Sequence, residues 1–229
     1  MRGYYRFMIW NIPNILTVMR LVAAPSIVIM FLYFSRPIAD WFALSLFLVA
    51  AISDWFDGYL ARLWRQESKF GQMLDPIADK AMVIIALLII TGFSGMNAWI
   101  LLPSAVIMFR EVFVSGLREF LGKSASLLNV TKLAKWKTAL QMVAIAALFT
   151  QGIFQHYLDM EVWGMSKNTL NSVMSDGSSD LKGIALVYWG AYIFWIFGVF
   201  VLWIAGMLTF ITGIDYLRKS LPYLEDDNL

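Results

Sequence analysis

Four aspartates, Asp54, Asp57, Asp75 and Asp79, stand in one stretch, SDWFDGYLARLWRQESKFGQMLDPIADKAMV (residues 53–83), with apolar sequence on both sides. Asp54 and Asp57 are spaced i, i+3, Gly58 follows, and Ala61 and Arg62 come a turn later, so on a helix they share a face. Asp75 and Asp79, spaced i, i+4, share a face in the same way. Carboxylates gathered in apolar surroundings must be neutralised by protons or by cations. Oxygen ligands without His or Cys select hard cations, Mg²⁺, Mn²⁺ or Ca²⁺. Four carboxylates exceed what one Mg²⁺ usually takes, and a pair of ions about 4 Å apart fits better. Such a pair clamps a phosphate and makes a nucleophilic oxygen more acidic. Gly58, Ala61 and Gly71 would let a ligand approach the backbone closely, and Arg62 is a natural phosphate partner. Two other readings stand beside this one. The aspartates could pair with Arg62, Arg65, Lys69 and Lys80 and cap helices, or they could line an ion pathway, as in a divalent-cation transporter. Capping needs one Asp per helix start, and a pathway would spread its acids through the membrane depth.

The elements that must position these groups are membrane helices. Of 229 residues, 60% are hydrophobic and 15% charged, and the formal net charge is +2. The mean hydropathy is +0.68. Soluble domains carry about 25% charged residues, so an all-α integral membrane protein is expected. There is no cysteine, hence no disulfide framework and no thiolate metal site. Nothing in the small net charge suggests a nucleic-acid partner. A spanning helix needs about 20 apolar residues. Six windows qualify, roughly 14–34, 40–63, 73–94, 98–120, 133–156 and 185–214, within a single domain over 1–229. Asp75 before Pro76 predicts an N-cap for the third helix, after a loop of about nine residues with Gly71 at its end. The opening MRGYYRFMIWNIPN reads as a short amphipathic interfacial helix over 1–13, ended by Pro13. The Ser-, Gly- and Asp-rich 159–183 reads as an exposed extracytoplasmic loop.

Orientation follows from Lys and Arg. One side collects Arg2, Arg6, Arg62, Arg65, Lys69, Arg118, Lys123, Lys132, Lys135, Lys137, Arg218 and Lys219. The other has Arg36, Lys167 and Lys182. Both termini and the aspartates are therefore expected to face the cytoplasm.

The spacing D-x2-D-G-x2-A-R-x8-G-x3-D-x3-D, from Asp54 to Asp79, resembles the signature of the CDP-alcohol phosphotransferase family at all eight fixed positions. At roughly one in twenty per position, chance agreement is on the order of 10⁻¹⁰ per start site. The six-helix layout resembles the family's membrane domain, so the likeness covers nearly the whole chain. It implies that a CDP-linked lipid donates its phosphatidyl group to an alcohol and CMP leaves. It also implies that Asp54, Asp57, Asp75 and Asp79 hold two divalent cations, Mg²⁺ or Mn²⁺, with Asp79 as general base. Asn14, Thr17, Gly58, Ala61, Arg62, Ser68 and Gly71 would contact CDP-diacylglycerol.

The family does not fix the acceptor. Arg110 lies mid-window in the fourth helix, and Arg118, eight residues on, shares roughly its face. Arginine within a bilayer is costly unless it is paired. Either these residues form salt bridges with Glu111 or Glu119, or they line a basic pocket for an acceptor that carries a phosphate. NIPNILTVMRLVAAP, LDPIADKAMV and REVFVSGLRE followed by KWKTALQMVA resemble the bacterial branch that uses glycerol 3-phosphate. That implies Arg110, Arg118, Lys135 and Arg20 as acceptor contacts. It also implies a homodimer in the bacterial cytoplasmic membrane, with its active site towards the cytoplasm. Phosphatidylglycerol or serine, as accepted by cardiolipin synthases and phosphatidylserine synthases of the same family, are the alternative acceptors.

Overall fold

The computed structural model describes residues 12–64, 69–122, 132–166, 172 and 183–223. Among them the secondary structure is helical. The long helices are α1 (Ile12–Tyr33), α2 (Ile38–Trp64), α3 (Lys69–Phe93), α4 (Ala98–Leu121), α5 (Lys132–Val162) and α6 (Ile184–Ser220), and a short 3₁₀ turn, Leu221–Tyr223, follows. Four segments are long and apolar enough to cross a membrane: Asn14–Tyr33, Ala98–Leu121, Trp136–Val162 and Ile184–Tyr223. Ile38–Ser53 is a shorter apolar run.

Local sequence explains most boundaries. Pro13 lies in the first turn of α1, where a missing N–H costs nothing. It opens this helix; of the interfacial segment expected over 1–13, residues 1–11 lie outside the described residues. Asn97 caps α4, its side chain accepting from the Trp99 N–H at 2.9 Å. Gly122 closes α4 with φ +50, and its N–H donates to the Arg118 and Glu119 carbonyls. The third helix corrects an expectation. It starts at Lys69, so Asp75 is no N-cap and Gly71 is a buried helical residue. Pro76 sits in the helix interior at the loss of one backbone hydrogen bond. The Asp75 side chain is satisfied by another helix instead of by its own backbone, as described below. The fifth and sixth helices also outrun their apolar windows, since α5 continues to Val162 and α6 to Ser220.

Pairs of contacting side chains fix the packing directions. Thr17 meets Asp75, Arg20 meets Asp79, and Phe31 meets Phe93 with ring centroids 4.8 Å apart, so α1 and α3 run parallel. Helices α4 and α6 are parallel too. The Trp203 indole N–H donates to the Trp99 carbonyl at 2.9 Å, and Gly206 lies against Pro103. The Trp99 carbonyl is the acceptor that Pro103, four residues on, cannot use. Helices α5 and α6 pack antiparallel and most extensively: Gln141 donates to Thr209, Leu148 covers Gly198, and Phe154 covers Gly190. A Cβ at Gly198 would stand 2.8 Å from Leu148 Cδ2, so glycine sets this close approach.

The core joins Ala24 and Ile27 of α1, Phe47 of α2, Ala86 and Leu87 of α3, Ile107 of α4, Ile145 of α5 and Leu202 of α6. Leu32, Phe109, Phe120, Leu186 and Phe200 point outward and are largely exposed, as expected of helices solvated by lipid. Trp41, Trp136 and Trp163, near helix ends, are exposed too. Away from the charged end of the bundle, Arg36 donates to both oxygens of Asp40, at 2.7 and 2.6 Å, and lies over the Phe93 ring. Asp40 is 1% exposed. A Cβ at Gly152 would fall 2.6 Å from Arg36 Nη2, so glycine opens the space for this pair.

Candidate active site

The charged end is built where α1 lies along α3. Asn14, Thr17 and Arg20 succeed one another at three-residue steps on α1, and all three are buried. Thr17 Oγ1 donates to Asp75 Oδ1 at 2.5 Å. Arg20 Nη1 donates to Asp79 Oδ1 at 2.6 Å, and Nη2 lies 3.9 Å from Asp75 Oδ1. One guanidinium thus reaches both carboxylates, so the i, i+4 aspartates converge. The two carboxylates are part-exposed while Arg20 is 3% exposed. The protein grips them from its interior, and their outer side faces approaching ligands. These are hard oxygen donors with no soft ligand beside them, a set that suits Mg²⁺ or Mn²⁺.

The side chains of Asp54, Asp57, Gly58, Ala61 and Arg62 lie outside the described residues, although α2 runs through their positions. Ser68 and the Lys135 side chain lie outside them as well. The described residues therefore bring two of the four expected aspartates together. They contain no cluster of three or more acidic, His or Cys ligands.

Beside Asp79 opens a cavity of about 290 Å³ between α3, α4 and α5. Its charged lining is Asp79, Lys80, Arg110, Glu111, Arg118 and Lys137. Arg110 and Arg118 both reach it, as their eight-residue spacing on one helix predicts. Arg118 also lies over the Tyr216 ring, 5.3 Å from its centroid. Arg110 has the expected acidic neighbour, with Nη1 3.5 Å from Glu111 Oε1, and still lines the cavity. The salt bridge and the basic pocket, posed as alternatives, coexist. Arg20 is not in this wall. The structure places it on the aspartates.

Lys80, Glu111 and Lys137 complete the cavity and were not singled out as site residues. Lys80 Nζ donates to Ser115 Oγ at 2.5 Å. Lys137 is buried and donates to Glu111 Oε1. Lys80 follows Asp79 directly, so it leaves the helix about 100° from the carboxylate face and points at α4. Lys137 reaches the cavity from α5. Four cations and two carboxylates line the cavity, an excess of two positive charges.

Comparison with known proteins agrees with this geometry. The family model described as CDP-alcohol phosphatidyltransferase matches residues 10–212. The chain is 61% identical over 219 residues to a protein of Cereibacter sphaeroides named CDP-diacylglycerol–glycerol-3-phosphate 3-phosphatidyltransferase, covering 95% of this chain and 99% of that one. A Rickettsia bellii protein of the same name is 36% identical over 213 residues, 93% of this chain and 97% of its own. One from Escherichia coli is 43% identical over 142 residues, 61% of this chain and 76% of its own. With the matched region spanning nearly all six helices and the paired aspartates, the chain belongs to the CDP-alcohol phosphatidyltransferase family.

Proposed function

We propose that this chain transfers the phosphatidyl group of CDP-diacylglycerol to sn-glycerol 3-phosphate, giving phosphatidylglycerophosphate and CMP. The relatives' names support this reading. The observation that carries it is the cavity beside Asp79, whose two excess positive charges match a phosphate monoester dianion. Serine carries no phosphate, and a phospholipid diester carries one negative charge.

Asp54, Asp57, Asp75 and Asp79 would hold two divalent cations, Mg²⁺ or Mn²⁺, which when bound would neutralise the diphosphate and acidify the acceptor hydroxyl. Thr17 and Arg20 hold Asp75 and Asp79 in place from the protein side. Arg110, Arg118 and Lys135 bind the acceptor's phosphate and so bring its hydroxyl to Asp79. Asp79 takes the hydroxyl proton. The oxygen attacks the β-phosphorus, and the bond from that phosphorus to the bridging oxygen breaks. The electron pair leaves with CMP. Asn14, Gly58, Ala61, Arg62, Ser68 and Gly71 make up the CDP-diacylglycerol contacts, with Thr17 acting through Asp75.

The same reading has six spans, with both termini and the site on the cytoplasmic side of a bacterial inner membrane. The Lys and Arg asymmetry supports it. So does the packing, since α1 begins and α6 ends at the charged end of the bundle. The assembly is a homodimer, for which the charge-free stretch 189–206 of α6 is the candidate contact.

Purified protein should release CMP from CDP-diacylglycerol with glycerol 3-phosphate and not with serine, inositol phosphate or phosphatidylglycerol. Equal turnover with serine would remove the assignment of the acceptor. Cation uptake into sealed vesicles without either substrate would remove the enzyme reading.

A further inference from the structure

We infer that Glu111 is the positioning residue of the acceptor pocket, the anion that fixes the cations meant for the acceptor's phosphate. This rests on the function proposed above and adds a residue to it.

Glu111 stands in α4 and is 8% exposed. A buried carboxylate is costly unless it is paired and hydrogen-bonded, and this one meets cations from two helices. Its Oε1 accepts from Lys137 Nζ of α5 and lies 3.5 Å from Arg110 Nη1 of its own helix. Its backbone carbonyl accepts from Ser115 Oγ at 2.5 Å, and Ser115 Oγ accepts in turn from Lys80 Nζ of α3. Three of the four cations in the cavity wall are thus referred to one residue, two through its carboxylate and one through its carbonyl.

The reason for such an arrangement is physical. Lys and Arg carry long side chains that lose much rotamer freedom when fixed, and cations gathered in one small cavity repel one another. Left alone they would spread outward to solvent and headgroups. A buried counter-charge holds them inward before the acceptor arrives, so binding does not have to order them. The Asp75–Asp79 pair is held by Thr17 and Arg20 instead. A change at Glu111 should therefore act first on acceptor binding.

The test is steady-state kinetics of full-length Glu111→Gln, Glu111→Asp and Ser115→Ala in detergent or nanodiscs, once wild-type turnover with glycerol 3-phosphate is established. A wild type that does not use glycerol 3-phosphate sinks the proposed function itself. Given wild-type turnover, Glu111→Gln should raise the KM for glycerol 3-phosphate at least tenfold. It should leave the KM for CDP-diacylglycerol within twofold. Glu111→Asp, which keeps the charge, should recover most of the loss. Ser115→Ala, which releases Lys80 alone, should give a smaller rise. Binding without turnover gives a second readout: the rise in melting temperature caused by glycerol 3-phosphate should vanish in Glu111→Gln, while that caused by CDP-diacylglycerol persists. A parallel change in both Michaelis constants, an unaltered KM for glycerol 3-phosphate, or a Glu111→Gln protein that fails to fold while Glu111→Asp behaves no better would each overturn the positioning role.

Discussion

The Arg20 guanidinium donates to Asp79 Oδ1 at 2.6 Å from a position almost wholly inside the protein. Arg20 thereby holds the proposed base, while other cations line the neighbouring cavity. This division separates residues that should affect chemistry from residues that should affect acceptor binding.

Asp79→Asn removes the proton acceptor and keeps the shape. Transfer should fall by about 10²–10⁴, the usual worth of a general base. CDP-diacylglycerol binding, followed by thermal shift, should survive. Turnover near the wild-type rate would exclude Asp79 from that role.

Thr17→Val is nearly isosteric and deletes the hydrogen bond to Asp75. A bond to a charged group contributes about 1.5–3 kcal/mol, so kcat should drop roughly tenfold to a hundredfold if that bond is felt fully in the transition state. Half-saturation by Mg²⁺ should move to higher concentration in the same titration.

Arg110→Ala should raise the KM for glycerol 3-phosphate far more than that for the lipid donor. Equal effects on both would mark Arg110 as a structural partner of Glu111 and no more.

Chelation of divalent cations should abolish CMP release, and Mg²⁺ or Mn²⁺ should restore it. Activity that survives exhaustive chelation would contradict the hard-oxygen reading of the aspartates.

At the Arg36–Asp40 pair, Gly152→Ala would push a methyl group into Arg36. Arg36→Ala would leave Asp40 buried and unpaired, at about 3–5 kcal/mol. Both variants should melt at lower temperature in detergent, Arg36→Ala the lower, while kcat at low temperature stays near wild type. Loss of kcat without loss of stability would show that this pair is linked to the active site.

By itself the sequence determined the membrane class, the helical fold, the spacing of the four aspartates and the family. Each is written in short-range pattern: apolar windows of spanning length, i, i+3 and i, i+4 steps, and fixed residues within one stretch. It misplaced the start of α3, because an Asp-Pro step reads as a helix opening. Whether a proline lies at a start or inside depends on a partner such as Thr17, 58 residues away. Only the tertiary structure decided which cations serve which anions. Arg20 lies on the aspartates, and Lys80, Glu111 and Lys137 meet across three helices. The reason is that charge pairing depends on how helices turn about their own axes when packed, and no periodicity along a single helix encodes that rotation.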